Sequence, residues 1–459
     1  MTELQSVSPT YPETVRNYKL ATHPDKQENF SENDGSVSEN NVRDDIKKGS
    51  NTVVHDKLKL VFLIFVLHGI GILMPWNMFI TANSYFVDFK LNVNDPSMEQ
   101  NRKNFLIYVG IAANIPNVLF NALNIFVQFG SSTLGIRIIG ALIIEIIIFF
   151  VTIILAMVNT TSWVGVFFGI TMTSVVIINM ANGVYQNSVY GLAAMLPMEY
   201  TMAVILGTNI SGTFTAAILI LSIAAYTHPR TGAIYYFLTA LIVLLFCLDT
   251  FLALPLNKFY QYYDKLSKKF PAENVEQAVT LSPFQTFRKI WPQCLNVFMV
   301  FFVTLTIFPA MCANTKIFDY RFFIDAKYFT AITCFLSFNF FAMVGSFLPS
   351  CFKWPEPKYL WIPIVIRFLL IPFFMLCNYI PESRTLPVLI KNDYAYTVMV
   401  TVLGLSSGYC SSLAMMYTPG YVSKENKTVA GMIAAFFLVF GVFCGVNFTF
   451  FVRWLVQTL

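Results

Sequence analysis

The sequence predicts an all-α polytopic membrane protein, and three features of its composition lead to that prediction. Only 12% of its 459 residues are charged and 56% are hydrophobic, whereas soluble proteins carry about 25% charged residues. Apolar stretches of about 20 residues, the length that crosses a hydrocarbon core, recur along the chain. Ten of the 25 acidic residues lie before Lys57, which leaves the apolar part poor in acids. A soluble enzyme, a nucleic-acid binder and a secreted disulfide scaffold are therefore excluded.

The first segment, residues 1–56, is polar and rich in Ser, Asn, Asp and Glu. It contains no apolar core of the kind that signal peptides have. We therefore expect a disordered cytosolic tail, followed by an uncleaved signal anchor in the first apolar stretch.

Eleven apolar stretches then predict about eleven membrane helices. Their expected bounds are 58–82, 105–128, 135–158, 162–195, 199–226, 232–256, 292–314, 328–350, 359–380, 394–418 and 429–453. The connections are short except for residues 257–291, a basic amphipathic loop. This loop divides the helices into six and five, so we expect an N-terminal lobe at 57–256 and a C-terminal lobe at 292–459.

Basic residues predict the orientation, because cytosolic connections carry an excess of Lys and Arg. Lys47, Lys48 and the 257–291 loop fall on one side of the predicted helices. This places the N-terminus and the loop in the cytosol and, with eleven helices, the C-terminus outside. The sequon at Asn159 then lies outside as a candidate glycosylation site, although its closeness to the membrane disfavours occupancy. The tail has no acidic dileucine signal, which favours the plasma membrane.

The first predicted helix carries the most distinctive motif, Gly69-Ile70-Gly71-Ile72-Leu73-Met74-Pro75-Trp76-Asn77. Pro75 lacks a backbone donor, and the glycines allow close helix packing. We therefore expect a kinked helix end at Pro75. There, Trp76 and Asn77 would place an indole ring and an amide in a cavity.

Further blocks follow in the same order along the chain. They are Gln186–Tyr200, Leu254-Pro255 with Phe259–Tyr263, Arg367 with Pro372, Asn378 and Pro381, and Ala430-Gly431 with Gly441 and Gly445. Together with the first motif, these blocks resemble the equilibrative nucleoside transporters (solute carrier family 29). The resemblance implies a 6+5 arrangement related to the major facilitator fold, alternating access, and facilitated diffusion of nucleosides or nucleobases.

The resemblance makes Trp76 and Gln186 the leading substrate-binding candidates. An indole can stack on a base, which contributes about 1–3 kcal/mol, and an amide can meet the donor–acceptor edge of a base. Leu73 and Ile80 lie one helical turn to either side and would wall the same cavity. The alternatives are interfacial anchoring for Trp76 and interhelical hydrogen bonding for Gln186.

The second helix carries Asn114, Asn117, Asn121 and Asn124, whose spacing places all four on one stripe. Amides cannot face lipid cheaply, and packing between helices could satisfy one or two of them. Four along one face predict a wet pathway. Asn114 and Asn117 fall at cavity positions of the family.

In the seventh and eighth helices, Phe308, Phe335 and Asn339 match cavity positions of the family, with a Pro-kinked helix and core aromatics as the alternative. The family usually carries an Asp and, four residues later, an Arg that engage the sugar, where this chain has Ala342 and Ser346. An Asp–Arg pair offers a fork of hydrogen bonds to a ribose diol. Either Asn114 and Asn117 hold the ribose, or the sugar is not the recognised part. Ser346 is kept as a cavity candidate.

Two acids, Glu145 and Asp249, fall inside predicted helices, where a charge is costly and by default marks function. His68 could partner such an acid or bond a carbonyl. The three are candidates for coupling or for setting the charge of the cavity. Pro75, Arg367 and Asn378 are read as structural or gating residues.

The leading hypothesis is therefore a passive carrier of nucleosides, acting as a monomer in the lipid bilayer. The two acids keep open an organic cation, monoamine or proton-coupled carrier of the same fold, and the lost Asp–Arg pair keeps open a non-transporting receptor or scaffold. No catalytic residue pattern and no cofactor or metal motif is found, and the eight cysteines lack metal-type spacing. We expect neither an enzyme nor a nucleic-acid partner.

Overall fold

The computed structural model describes residues 54–92, 96–126, 134–225, 228–273 and 281–459. Residues 1–53 of the tail predicted at 1–56, which include Lys47 and Lys48, lie outside the described residues. Residues 54–459 form one compact unit.

Within the described residues, ten helices are long and apolar enough to cross a membrane, and a shorter apolar helical segment completes a set of eleven. They are α1 (Leu60–Thr81), α2 (Phe105–Phe126), α3 (Leu134–Met157), α4 (Val164–Met195), α5 (Met198–Ala224), α6 (Pro229–Ala253), α7 (Pro283–Ile307), α8 (Ala326–Ser350), the shorter α9 (Trp361–Leu376), α10 (Asp393–Tyr417) and α11 (Lys427–Thr458). The prediction of about eleven helices is confirmed. We call α1–α6 the N-terminal lobe and α7–α11 the C-terminal lobe.

The central loop is more helical than predicted. A surface helix spans Lys258–Glu273, and α7 begins at Pro283 rather than at residue 292. A capping box fixes that start, because the Ser282 side chain accepts from the Gln285 backbone while the Gln285 side chain accepts from the Ser282 backbone. The charged residues after Pro283 hid this helix start from an argument based on hydropathy.

Pro75 lies inside α1 and not at its end, because the helix continues to Thr81, in agreement with the predicted bounds 58–82. Close packing on α5 supports the helix: a Cβ on Gly69 would lie 2.1 Å from the Val204 carbonyl oxygen, and one on Gly207 would lie 2.0 Å from the Val66 carbonyl oxygen. These backbone contacts need glycine on both helices. Tertiary packing therefore holds the helix together where Pro75 removes one of its hydrogen bonds.

The start of α1 is tied to α5 by one carboxylate. Asp56 accepts hydrogen bonds from the backbone N–H groups of Val61 (3.2 Å) and Phe62 (3.0 Å), which have no partner within the helix. The Tyr200 hydroxyl in α5 donates to the same carboxylate at 3.0 Å. The ring of Tyr200 stacks on Phe259 of the surface helix, with ring centroids 5.3 Å apart.

We call the side where α1 begins the proximal face and the side where it ends the distal face. At the proximal face, α4 and α11 of opposite lobes touch closely. A Cβ on Gly431 would lie 2.5 Å from the Ala194 Cβ, and one on Gly191 would lie 2.7 Å from the Met432 Cγ. Asn187 crosses the same contact by donating to the Met432 carbonyl oxygen at 2.8 Å. The lobes are therefore closed against each other at this end.

Candidate functional site

The four α1 candidates share one partly accessible face. Leu73, Trp76, Asn77 and Ile80 are spaced by three and four residues, which places them on one stripe of the helix, and all four are half-buried. The residues between them are buried, including Met78 at 0% exposure. The sequence motif thus gives one packed face and one partly exposed face with an indole, an amide and two aliphatic side chains.

A single turn of α5 brings α1 and α8 together. The Asn77 amide donates from Nδ2 to the hydroxyl of Ser211 at 3.1 Å, and Ser211 is fully buried. The next residue, Gly212, leaves room for Asn339, since a Cβ there would lie 2.1 Å from Asn339 Oδ1. One candidate from each lobe therefore contacts consecutive residues of α5.

Gln186 is 6% exposed, and its amide makes no hydrogen bond with any described residue. Among the described residues, some side-chain polar atoms are fully shielded from solvent and have no hydrogen-bond partner. The two polar atoms of the Gln186 amide are not among them. The preceding residue, Tyr185, accepts or donates a hydrogen bond of 2.7 Å with His68 of α1. Gln186 is therefore a buried amide beside the α1–α4 contact that Tyr185 makes, without a hydrogen-bond partner among the described residues.

The asparagine stripe of α2 divides into two halves with different surroundings. Asn121 accepts from Asn187 Nδ2 at 2.8 Å, and Asn124 donates to Asn187 Oδ1 at 2.9 Å. Both are at most 4% exposed, so the wet pathway predicted for the full stripe is wrong for this half, which is an interhelical network. Asn114 and Asn117 are half-buried and keep their place as candidates.

In the C-terminal lobe, three predicted residues lie together where α7 ends beside α8. The Phe308 ring stacks on Phe338 with centroids 3.8 Å apart and meets the Phe335 ring edge-on at 5.8 Å. Phe335 and Asn339 are half-buried and one turn apart on α8. The structure brings Phe308, Phe335 and Asn339 together as expected.

Ser346 is placed differently from the expectation. It is fully buried, and its hydroxyl donates to the Met343 carbonyl oxygen of the preceding turn at 2.8 Å. A Cβ on Gly408 of α10 would lie 2.0 Å from the Ala342 carbonyl oxygen, so the α10 backbone covers this face of α8. Ser346 therefore does not lie beside the half-buried candidates Phe335 and Asn339 on α8, and the structure does not support its assignment as a cavity residue.

The two intramembrane acids differ. Glu145 is fully buried, and both of its carboxyl oxygens lack a hydrogen-bond partner among the described residues. Asp249 is exposed, one turn before the proximal end of α6. The His68 ring bonds neither an acid nor a carbonyl of the described residues: Nδ1 bonds the Tyr185 hydroxyl, and Nε2 has no partner among these residues.

Arg367 and Asn378 hold other elements in place, which supports their structural interpretation. Arg367 is 4% exposed and donates to the Val300 carbonyl oxygen (3.0 Å), to Thr304 Oγ1 (2.6 Å) and to Ser406 Oγ (3.0 Å). It thereby joins α7, α9 and α10 through neutral oxygens. Asn378 Nδ2 donates to the Lys316 carbonyl oxygen at 3.0 Å and fixes the distal connection after α7.

Sequence reasoning missed Ser211 and Gly212. A signal was present, because Gly207 and Ser211 are small residues four positions apart, a spacing typical of close helix contacts. Such a pattern predicts contact but does not identify the partner. Only the structure shows that this part of α5 contacts Asn77 and Asn339.

Comparisons with known proteins agree with this arrangement. The nucleoside transporter family model matches residues 172–454. The chain is 30% identical to equilibrative nucleoside transporter 2 of Rattus norvegicus, over 86% of this chain and 97% of the relative. It is also 30% identical to equilibrative nucleoside transporter 1 of Homo sapiens, over 87% of this chain and 98% of the relative.

A solved proton:xylose symporter of the major facilitator superfamily superimposes with a TM-score of 0.57 at 12% identity, covering 86% of this chain and 89% of that one. At this identity the likeness concerns the fold alone, and it confirms the predicted relation to the major facilitator fold. The family match spans more than half of the chain, and the relatives match nearly their whole length. The chain therefore belongs to the nucleoside transporter family.

Proposed function

We propose that this chain carries nucleosides, and also nucleobases, across a membrane by facilitated diffusion. Family membership supports the proposal, and one structural observation links it to particular residues. The half-buried stripe with Trp76 and Asn77 lies on α1, which packs on α4 where Gln186 has an unpaired amide. A flat solute that offers donors and acceptors on its edge matches an indole face and a free amide.

Binding at such a site would be weak enough for rapid turnover. Stacking of a base on Trp76 contributes about 1–3 kcal/mol, and each net hydrogen bond to Gln186 contributes about 1 kcal/mol. Together with partial burial of the base, these contributions correspond to millimolar or sub-millimolar dissociation constants. Weak binding suits a carrier that must release its solute on the other side.

Transport would proceed by rocking of the N-terminal lobe against the C-terminal lobe. The close contact of Gly191 and Gly431 with the facing helix, and the Asn187 hydrogen bond to Met432, must separate for the proximal side to open. Lysines lie near the proximal ends of the helices, at positions 59, 258, 265, 353 and 358. They support the proposal that the proximal face is cytosolic. A monomer in the plasma membrane is proposed with it.

The test is uptake of labelled uridine, adenosine and free uracil into proteoliposomes that contain the purified chain. We expect saturable uptake that stops when inside and outside concentrations are equal. Absence of saturable flux for all three solutes would refute the proposal. Accumulation above the outside concentration under an imposed proton gradient would refute its passive character.

The site is tested by Trp76→Ala, for which loss of stacking predicts a fivefold to hundredfold weaker apparent affinity, at about 1.4 kcal/mol per factor of ten. Trp361→Ala is the matched control, since Trp361 is 55% exposed at the start of α9. Equal effects of both substitutions would remove Trp76 from the site.

A further inference from the structure

The surface helix is amphipathic, and its apolar side is packed on the protein at the proximal face. Phe259 in its first turn is buried and stacks on Tyr200 of α5. The helix also contacts α4 of the N-terminal lobe and the turn Lys424–Asn426 that precedes α11. It is therefore docked on both lobes, with its other side directed away from the protein.

That other side of the surface helix carries lysines. Lys258 and Lys265 are seven residues apart, which places them two turns apart on one face, and both are exposed. Tyr262 lies between them and is also exposed. Lys268-Lys269 follows in the same helix. The half-buried Asp264 falls on a different side of the helix, so the exposed face is basic.

Two further lysines lie close by, at the start of α1. Lys57 and Lys59 are exposed, and Lys59 Nζ lies 5.8 Å from the centroid of the Phe62 ring. The Phe62 ring meets the Tyr200 ring edge-on, with centroids 6.2 Å apart, and Tyr200 in turn stacks on Phe259. A continuous series of ring contacts therefore joins the start of α1 to the start of the surface helix.

These lysines have no counterion among the described residues. We call the four the basic corner: Lys57, Lys59, Lys258 and Lys265. None of them forms an ion pair with a described carboxylate. The carboxylate of Asp56 is engaged by three hydrogen bonds, and the exposed Glu199 and Asp249 form no ion pair with a described residue. The ammonium groups of the basic corner are therefore available to an anion.

Two leucines beside the basic corner are among the most exposed large apolar side chains of the described residues. Leu58, between Lys57 and Lys59, is 86% exposed, and Leu256, two residues before Lys258, is 79% exposed. Apolar side chains interleaved with lysines are typical of segments in the membrane interface, where the apolar groups enter the acyl boundary and the ammonium groups reach the headgroups. An acidic peptide or a nucleic acid would leave these leucines in water, so the pattern favours a lipid partner.

We propose that the basic corner binds the headgroups of anionic phospholipids, such as phosphatidylserine, in the leaflet at the proximal face. Each lysine near an anionic lipid surface strengthens the association about fivefold. Such lipids lie in the cytosolic leaflet, which matches the orientation proposed above. The binding does not depend on which solute the chain carries, so it is tested without a transport measurement.

The first test is native mass spectrometry of the purified full chain, released from detergent that contains equal amounts of phosphatidylserine and phosphatidylcholine with identical acyl chains. We expect the chain to retain phosphatidylserine at least tenfold better than phosphatidylcholine. The preference should fall as the salt concentration is raised before release, because salt screens exposed charges. Equal retention of the two lipids would overturn the inference.

Variants then assign the site. Lys258→Gln combined with Lys265→Gln should lower the preference for phosphatidylserine about fivefold for each lysine, until it approaches equality. The matched control is Lys316→Gln combined with Lys391→Gln, which removes the same charge from exposed positions at the distal face. The control should keep the preference of the wild type. Equal losses in the two double variants would show that total charge alone acts, and would overturn the assignment to the basic corner.

A soluble headgroup distinguishes a lipid site from a site for free phosphate esters. A hundredfold excess of glycerophosphoserine, which lacks acyl chains, should not displace phosphatidylserine from the wild-type chain. Displacement would overturn the assignment to lipid. If the lysine variant fails to fold, as judged by its elution profile in detergent, the comparison of lipids on the wild-type chain still decides. Uridine uptake tests the proposed function separately and is unaffected by either result.

Discussion

Gly431→Ala should shift the conformational equilibrium of the protein toward the state that is open at the proximal face. The added Cβ would lie 2.5 Å from the Ala194 Cβ and 2.7 Å from the Tyr190 carbonyl oxygen. Neither atom belongs to a side chain that can swing away, so α11 must retreat from α4 by about 1 Å to reach ordinary contact distance. The strain exists only while the two helices touch.

The size of the shift follows from the cost of overpacking, about 1–3 kcal/mol. At 1.4 kcal/mol per factor of ten, the ratio of proximal-open to proximal-closed molecules should rise by a factor of about 5 to 150. Double electron–electron resonance can measure this ratio with spin labels on Glu199 and Tyr421, which are exposed on opposite lobes. Their neighbours Met198 and Gly420 lie close together, since a Cβ added to Gly420 would be 3.9 Å from Met198 Cε.

The background for labelling is low, because six of the eight cysteines are buried and Cys351 and Cys444 can be replaced by serine. Gly140→Ala is the matched control, since a Cβ there would meet no atom within 4 Å. We expect a longer-distance population in Gly431→Ala alone. Distance distributions that are identical in the wild type and Gly431→Ala would refute the assignment of this contact as the closed gate.

Three further predictions concern stability in detergent. Glu145→Leu should raise the unfolding temperature, because it removes a buried carboxyl group that has no partner among the described residues. Burying such a group costs about 1–3 kcal/mol of folding free energy. An unchanged or lower unfolding temperature would contradict this prediction. Arg367→Lys should cost about 3 kcal/mol or more, since one ammonium cannot reach all three oxygens, whereas exposed Arg453→Lys should be neutral. Burial, reinforced by Arg230, lowers the pKa of Lys90 from 10.5 to about 8. Between these values the unfolded chain binds more protons, so stability should rise with pH from about 8 to 10.5 in the wild type and not in Lys90→Met.

The membrane helices were predictable because a helix that crosses the hydrocarbon core needs about 20 consecutive apolar residues. A hydropathy pattern of that length can be read directly from the sequence. The local motif also identified the accessible stripe of α1, since helical spacing alone places Leu73, Trp76, Asn77 and Ile80 on one face. Hydropathy could not locate the start of α7, because its first turns are charged and protrude beyond the apolar segment.

The errors concern groups whose surroundings depend on distant parts of the chain. Asn121 and Asn114 have the same chemistry and share one stripe, but only Asn121 meets Asn187 on α4. Ser346 is covered because Gly408 lets the α10 backbone approach, which no feature of α8 could indicate. Glycine contacts and amide networks are pairwise properties, so their outcome required the folded structure.

The carboxylate of Asp56 has a practical consequence for anyone who shortens the chain. It satisfies two N–H groups at the first turn of α1 and accepts from Tyr200, which in turn stacks on the surface helix. An N-terminal truncation that removes only residues before Asp56 keeps these hydrogen bonds. Removal of Asp56 itself uncaps α1 and breaks its hydrogen bond to Tyr200 of α5. The natural boundary for trimming is therefore set by a side chain rather than by the edge of the apolar sequence.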